Sequence, residues 1–238
     1  MGARFTADGP KDRPGHSTPL LSLLRVHKPY GVLCQFTDPE GRPTLSDYVD
    51  VPNVYAAGRL DRDSEGLLLL TNSGALQHWL AHPRSGVEKS YWVLLDQTPS
   101  DDALKRLRDG VVLRDGPARA LRAERCAPPP LPERNPPPRI KSSSAPCWLS
   151  VTLDEGRNRL LRRLCAAIGA PVLRLIRYRI GPFELDDLTP GTWALAPLPP
   201  GFTPPSTSRP GPGGRRPPPR SKPPRRPGPR ASKTPPQT

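Results

Sequence analysis

A segment of nine residues, 58–66, carries charged side chains that could do chemistry. Between its two end glycines lie three carboxylates and two guanidinium groups, those of Asp61, Asp63, Glu65, Arg59 and Arg62. An ionised carboxylate can act as a nucleophile or as a general base. An aspartate in a loop more often bonds its own backbone and forms a turn. From these residues alone, both interpretations of the segment remain open.

The flanks of this segment predict where it lies in the fold. Apolar residues 54–57 precede it, and four consecutive leucines, 67–70, follow it. A short apolar run bounded by turn residues is typical of a buried strand. We therefore expect the charged residues on a loop held between two core elements, where functional groups are commonly displayed.

A second set of charges comes from Arg159, Arg162 and Arg163, which follow the turn residues 154–156. Apolar residues recur at helical spacing in the same stretch, at 161, 164, 165 and 168, and Gly169 is placed to end the helix. The three arginines would then share the other helix face. Such a face is either simply solvated or holds a phosphate or a carboxylate in the guanidinium fork.

Strands are predicted to outnumber helices in the elements that position these charges. The strands are 23–26, 54–57, 67–70, 89–95, 111–113, 118–125, 148–153, 172–180 and 192–195, and residues 32–35 should resume a strand pair after a break at 28–31. Helices are expected at 75–82, from 100 to Gly110 and in the arginine segment, with one or two helical turns at 44–49. Because no strand-helix-strand regularity is present, we predict an α+β domain with a largely antiparallel sheet.

Composition divides the 238-residue chain into three parts. Residues 1–19 are predicted to be a disordered leader, 20–201 a catalytic domain with an exposed Pro-rich loop at 127–146, and 202–238 a disordered tail. The tail holds 13 of the 37 prolines and nine Arg or Lys without any Asp or Glu. It therefore supplies nine of the net +14 charges, as expected for an arm attracted to phosphates.

The sequence argues against a metal site and against a membrane segment. Its four cysteines form no Cys-x-x-Cys pair, and His78 and His82, one helical turn apart, have no third ligand nearby. Free thiols suit a reducing cytoplasm, where we expect this protein. The N-terminal apolar runs are too short for a signal peptide or a membrane span.

Three blocks, 58–68, 89–93 and 155–164, resemble the signature motifs of the RsuA-type ribosomal RNA pseudouridine synthases, in the family's order. The resemblance extends from about residue 24 to 193, with further matching stretches at 28–38, 134–137 and 173–178. It implies the pseudouridine synthase catalytic fold, with the sheet split over two subdomains flanked by helices. An S4 domain is not expected, because about 20 N-terminal residues are too few to form one.

The resemblance also implies the reaction, which is isomerisation of a specific uridine in 23S ribosomal RNA to pseudouridine without metal or cofactor. Asp61 matches the family's nucleophile, and large-subunit ribosomal RNA would be the partner of a monomeric enzyme. One alternative is a catalytically idle RNA-binding or ribosome-assembly factor on the same fold. Another is a magnesium-dependent nucleic-acid hydrolase that uses the three carboxylates of the segment, although the arginines among them disfavour a metal.

Roles for the other residues follow from the same motifs. Arg162 would be the cation beside Asp61 and Arg163 the fallback, since a fixed cation keeps a desolvated carboxylate ionised; alternatively, Arg162 binds a phosphate. Tyr91 would stack on the extruded uracil or move a proton, and Arg59 would fill the gap that a flipped base leaves. The predicted RNA contacts are Arg59, Arg62, Lys89, Arg159, Arg163, Arg174 and Arg177.

The remaining residues of the first block are expected to be structural. Asp63, Ser64 and Glu65 should hold the shape of the loop through hydrogen bonds. One position departs from the family, since Leu160 stands where glutamine is usual. The basic tail could partly replace an S4 domain in binding RNA.

Overall fold

The computed structural model describes residues 21–82, 85–141, 143 and 145–202. The predictions for the leader, 1–19, and for the tail from residue 203 onward lie outside these residues. The eleven strands of the described part are β1 Leu23–Lys28, β2 Tyr55–Ala56, β3 Glu65–Thr71, β4 Lys89–Leu95, β5 Val111–Leu113, β6 Gly116–Ala118, β7 Arg122–Arg125, β8 Cys147–Leu153, β9 Val172–Ile180, β10 Phe183–Glu184 and β11 Trp193–Leu195. The helices are α1 Gly74–Ala81, α2 Asp101–Asp109 and α3 Leu160–Ala167, with one turn of 3₁₀ helix at Leu45–Asp47.

Nine of these strands form one sheet. Seven follow the order β11-β1-β3-β9-β4-β8-β7, and of the other two, β2 pairs with β3 and β10 pairs with β9. The short strands β5 and β6 pair with each other outside it. Among the paired strands of the described part, β3 and β9 run parallel and all others antiparallel. The α+β class with a mostly antiparallel sheet is therefore confirmed.

The contact between β3 and β9 joins the two halves of the sheet. Glu65 pairs with Ile176 and Gly66 with Arg177, at the end of the charged segment. Gly66 has a φ of 101°, and a Cβ there would lie 2.2 Å from the carbonyl oxygen of Arg177. Only glycine fits this close approach of two backbones. The glycine that ends the 58–66 segment is thus required by the sheet.

The leucine run after the loop is buried on both faces of the sheet, as predicted. Leu67 and Leu69 pack into a cluster with α1 and the end of β9, whereas Leu68 and Leu70 pack on the other face against β1 and the 3₁₀ helix. All seven residues of β3 are buried. A central strand covered on both faces has a continuous apolar sequence, which is why the run of leucines alone identified it.

The helices α2 and α3 pack in one cluster on β4 and β8. Ser100 caps α2, its Oγ accepting from the backbone N–H of Ala103 at 3.1 Å, and Gly110 ends the helix. In α3, the stripe of Leu161, Leu164 and Cys165 is buried. This packing holds the first turn of α3 at the edge of the core, next to the charged loop.

Two predicted strands differ in the structure. Residues 118–125 divide between β6 and β7, because the backbone N–H of Ala120 donates to Leu107 at the end of α2 and the chain joins β8 only afterwards. Residues 32–35 form no strand and make a single bridge, Leu33 to Thr44. Strand β1 pairs instead with β3 and β11, so partners distant in sequence complete the sheet there.

Candidate active site

The charged loop is fastened at its centre by Cys34. The backbone N–H of Leu60 donates to the Cys34 sulfur at 3.3 Å, and the thiol donates back to the Leu60 carbonyl at 3.2 Å. The backbone N–H of Ser64 donates to the carbonyl of Asp61 at 3.0 Å, which closes a turn. The residue before Asp61 is thus fixed from outside the loop, and Asp61 itself lies at the start of the turn.

The loop is also paired with the segment after β1. The backbone N–H of Gly31 donates to the carbonyl of Arg62 at 2.8 Å, and the Nε of Arg62 donates to the carbonyl of Gly31 at 3.1 Å. The rest of the Arg62 side chain is exposed. The two segments are therefore tied together, and the backbone on either side of Asp61 has a fixed partner.

The cation that contacts the carboxylate of Asp61 is Arg159. Its Nη1 lies 3.4 Å from Asp61 Oδ2, and its two terminal nitrogens bind the carboxylate of Asp63 at 3.0 and 2.9 Å. Arg159 immediately precedes α3 and has a left-handed backbone, with φ 47° and ψ 31°. This conformation costs an L-residue about 1–2 kcal/mol and is concentrated at functional sites.

Arg162, the predicted partner of Asp61, binds the backbone of the loop instead. Its Nη2 donates to the carbonyl of Asp63 at 2.7 Å and lies 3.4 Å from both the Asp63 carboxylate and the Ser64 hydroxyl. Only 13% of its side chain is exposed. Arg162 thus holds α3 against the loop.

Arg163, the fallback partner of Asp61, points away and binds Asp115 at 2.6 Å. Helical spacing predicts that Arg159, Arg162 and Arg163 share one helix face. In the structure the helix begins only at Leu160, and Arg159, in its left-handed turn, and Arg162 both reach Asp63 on the loop, whereas Arg163 does not.

The charge of Asp63 is balanced by these arginines. Burial alone would raise the pKa of Asp63, but the hydrogen bond from Arg159 and the charge of Arg162 outweigh it and hold that pKa below its usual value. Burial in turn lowers the pKa of Arg162, which the charge of Asp63 partly opposes. Asp63 therefore neutralises the cations around the loop, and Asp61 makes one long contact with them.

A cleft of about 700 Å³ opens at the loop and is lined by residues from six parts of the chain. Most of the predicted site residues line it, namely Asp61, Tyr91, Arg162, Arg59, Arg62, Lys89, Arg159 and Arg177. Tyr91, on β4, is 8% exposed. The structure therefore brings the carboxylate, the phenol and the guanidinium groups of the three motif blocks to one cavity.

Lys89 is partly buried in this cleft, and Leu160 is fully buried. The Nζ of Lys89 donates to the carbonyl of Val87 at 3.0 Å, and burial lowers the pKa of the Lys89 amine. Leu160, which stands where relatives usually have glutamine, is 3% exposed. At that position the cleft wall is apolar.

Arg174 and Arg177, two of the predicted RNA contacts, are buried and bind protein groups, and Arg177 also lines the cleft. Arg174 forms a two-point ion pair with Glu65 at 2.9 and 2.8 Å, in which both side chains are less than a tenth exposed. Arg177 donates to the carbonyls of Leu67 at 2.8 Å and of Arg59 at 3.3 Å. These two arginines of β9 therefore hold the loop and β3 together, whereas Arg179, near the end of the same strand, is half exposed.

The remaining predictions concern metals and membranes. Glu65 is committed to Arg174 and Asp63 to Arg159, so the three carboxylates of the loop do not converge. No three His, Cys, Asp or Glu side chains of the described residues are arranged to hold a metal ion. The rings of His78 and His82 lie 4.6 Å apart on and just after α1.

None of the helices described here is long and apolar enough to cross a membrane.

Comparison with known proteins places this site in a family. Residues 22–167 match the model of RNA pseudouridylate synthases. Proteins named ribosomal large subunit pseudouridine synthase E are 50% identical in Vibrio parahaemolyticus, over 72% of this chain and 72% of theirs, and 49% identical in Xanthomonas campestris, over 73% and 94%. A crystal structure described as a pseudouridylate synthase has a TM-score of 0.59 at 27% identity, over 74% of this chain and 70% of that one. The chain belongs to the RNA pseudouridylate synthase family.

Proposed function

We propose that this isomerase converts one uridine of large-subunit ribosomal RNA to pseudouridine, with Asp61 as the nucleophile. The observation that carries the proposal is the position of the Asp61 carboxylate, 3.4 Å from Arg159 at a cleft that Tyr91 also lines. The choice of RNA is supported by relatives of about 50% identity that are named ribosomal large subunit pseudouridine synthase E.

The reaction needs one carboxylate and a pocket that retains the base. The bond from ribose C1′ to uracil N1 breaks, the base turns, and a bond forms from C1′ to C5. The proton on C5 is lost and N1 takes up a proton, so the product is an isomer of the substrate. The Asp61 oxygen attacks either ribose C1′ or uracil C6, and the bond that it forms breaks again before the product leaves, which regenerates the carboxylate. The cleft keeps the freed base in place for reattachment.

Other residues of the cleft prepare this carboxylate and hold the uracil. Arg159 orients the Asp61 carboxylate and places a positive charge 3.4 Å from it. Tyr91 offers a ring for the uracil to stack on and a hydroxyl that can take part in proton transfer. Arg162 acts as a positioning residue rather than as the partner of Asp61, because it binds the loop backbone at Asp63.

The exposed cations at the mouth of the cleft provide the RNA contacts. Arg59 and Arg62 flank Asp61 with exposed side chains, and Arg159 is 44% exposed. Arg59 is placed to occupy the space that the flipped uridine leaves, which offsets part of a flipping cost of a few kcal/mol. Backbone contacts of this kind set affinity, whereas the shape of the RNA loop sets the choice of uridine.

A monomer in the cytoplasm is sufficient for this activity. Asp61, Tyr91 and Arg159 all come from one chain and meet in one cleft. The same domain boundaries, 20–201, remain our proposal for the catalytic unit.

The experiment uses ribosomal RNA labelled with tritium at uracil C5. Wild-type protein should release tritium into water, and Asp61→Asn, which keeps the size of the side chain, should release none while binding the same RNA. The matched control is Asp63→Asn, which alters a neighbouring carboxylate and should retain measurable release. A wild type that releases nothing would support the idle RNA-binding factor, and an active Asp61→Asn would exclude Asp61 as nucleophile.

A further inference from the structure

A second cleft, of about 400 Å³, opens beside the first. It is lined by Tyr30, Gly31, Asp61, Arg62, Asp63 and Arg159. Asp61, Arg62 and Arg159 line both clefts, whereas Tyr30 lines the second cleft and not the first. The carboxylate of Asp61 therefore stands between the pocket that takes the target uridine and a neighbouring space that the reaction itself does not use.

The ring of Tyr30 is backed by a cation from the Pro-rich loop 127–146. The guanidinium carbon of Arg134 lies 4.2 Å from the centre of the Tyr30 ring. Arg134 is itself held by main-chain carbonyls, since its Nη1 donates to Leu173 at 3.2 Å and its Nε to Pro136 at 2.9 Å. Held by these carbonyls, the guanidinium lies over the face of the ring, as in a cation–π contact.

The position of Tyr30 relative to Asp61 is set by the backbone. Its neighbour Gly31 exchanges two hydrogen bonds with Arg62, of 2.8 and 3.1 Å, so the Tyr30 segment is tied to the residue after Asp61. Arg174, in addition to its pair with Glu65, donates to the carbonyl of Pro132 at 3.1 Å and so fixes the loop that carries Arg134. The Tyr30–Arg134 pair is thus built into the fold next to the catalytic carboxylate.

We propose that this pair stacks on the base of the nucleotide next to the target uridine, with Arg62 binding the intervening phosphate. The proposal rests on the proposed function, because it requires an RNA substrate with a uridine flipped towards Asp61. Tyr30 and Arg134 would then be specificity residues that require an unpaired neighbour on one side of the target.

The physical reason is the stack that flipping destroys. When a uridine leaves its stack, the adjacent base loses a partner, and flipping costs a few kcal/mol. An aromatic side chain gives the neighbouring base a new surface, and such stacking is worth about 1–3 kcal/mol per base. Single-stranded RNA is commonly bound by aromatic rings and arginine planes in this way. A partly exposed tyrosine held by an arginine beside the active site meets that requirement.

The test is a double-mutant cycle on RNA binding, in which one change is made in the protein and the other in the RNA. Short hairpins are made around the mapped target uridine with an abasic residue on its 5′ or its 3′ side. Dissociation constants are measured for Tyr30→Ala, Tyr30→Phe and Arg134→Ala, all in an Asp61→Asn background so that catalysis plays no part. Tyr55→Ala, an exposed tyrosine on β2, and Arg139→Ala, on the same loop as Arg134, are the matched controls.

On intact RNA, Tyr30→Ala should weaken binding about 5- to 100-fold, and Tyr30→Phe should bind like the parent. One of the two abasic hairpins should weaken binding of the parent by a similar factor and leave Tyr30→Ala unchanged. Arg134→Ala should show a smaller loss with the same coupling. The two controls should keep the full abasic penalty.

An abasic penalty that is equal in the parent and in both Tyr30→Ala and Arg134→Ala would overturn the proposal, because the changes would then be independent. If Tyr30→Ala does not fold, as judged by its thermal unfolding, the coupling in Arg134→Ala decides in the same way. A wild type without tritium release would instead contradict the proposed function, and that result is separate from these binding constants.

Discussion

The carboxylate of Asp61 lies 3.4 Å from the guanidinium of Arg159, a residue 98 positions away that has a left-handed backbone just before α3. We predict that Arg159→Ala lowers kcat about 10- to 100-fold, the equivalent of losing a charge-assisted hydrogen bond of about 1.5–3 kcal/mol. Its thermal unfolding should change little, and Arg159→Lys should restore part of kcat. Single-turnover tritium release measures the effect.

Two other arginines provide the comparison for that result. Arg162→Ala should lose both activity and stability, because Arg162 binds the loop backbone and is 13% exposed. Arg114→Ala, in the exposed turn between β5 and β6, should match the wild type in both. A wild-type kcat in Arg159→Ala would show that the contact with Asp61 has no catalytic role.

Breaking the buried ion pair of Glu65 and Arg174 by removing one partner should strongly lower the free energy of unfolding. Both partners are buried, so Arg174→Met leaves an unpaired buried carboxylate and should cost about 3–5 kcal/mol in the free energy of unfolding. The double variant Glu65→Met with Arg174→Met should cost less than the sum of the single ones. Urea unfolding of the four proteins gives the coupling energy.

The exposed pair of Arg122 and Glu88, at 3.1 Å, is the control for that cycle. Its coupling should be below about 1 kcal/mol, because solvent screens it. Equal coupling in the two pairs would contradict the importance given to burial.

Lys28 should make stability depend on pH in the alkaline range. Burial lowers the pKa of its amine to about 8, although the Nζ donates to the carbonyls of Pro29 and Val32. Between about pH 8 and the usual lysine pKa, the unfolded chain binds more protons than the folded one, so stability rises with pH. Wild type should therefore gain stability relative to Lys28→Met as the pH rises. The difference between their free energies of unfolding should increase by as much as about 1.4 kcal/mol per pH unit. Urea titrations at several pH values from about 7.5 to 10 measure it, and a constant difference would show that Lys28 titrates normally.

The basic tail is expected to increase the affinity for RNA without selecting a particular RNA sequence. Deleting residues 203–238 removes nine Arg or Lys and no acid, and it keeps Phe202, which packs on Trp79. The dissociation constant for ribosomal RNA should rise at moderate salt. A plot of the logarithm of the association constant against the logarithm of the salt concentration should become less steep. Its negative slope should shrink in magnitude by about 0.7–0.9 for each phosphate that the tail no longer neutralises. The value of kcat at saturating RNA should not change.

A full-length variant with the nine basic tail residues replaced by glutamine separates charge from length. It should behave like the deletion. An unchanged salt slope in both proteins would show that the tail does not take part in RNA binding.

Elements whose signals are local could be predicted from the amino-acid sequence. Strand β4 has the predicted bounds, α2 lies between its predicted cap Ser100 and its stop Gly110, and the leucines after Asp61 form a buried strand. Side-chain periodicity and capping are properties of neighbouring residues, so they can be recognised without knowing the fold. The three motif blocks likewise indicated the family and the residues that meet in the cleft.

Which charges face each other depends on the tertiary structure. Arg159 contacts Asp61 because it precedes α3 in a left-handed turn, which a helical wheel cannot show. Arg174 and Arg177 are buried because β3 and the loop before it, more than 100 residues earlier in the chain, supply their partners Glu65, Leu67 and Arg59. Arg134 reaches Tyr30 through a loop held by contacts with β9. Each of these relations depends on strand register and on chain segments far apart in sequence, and only the assembled sheet sets them.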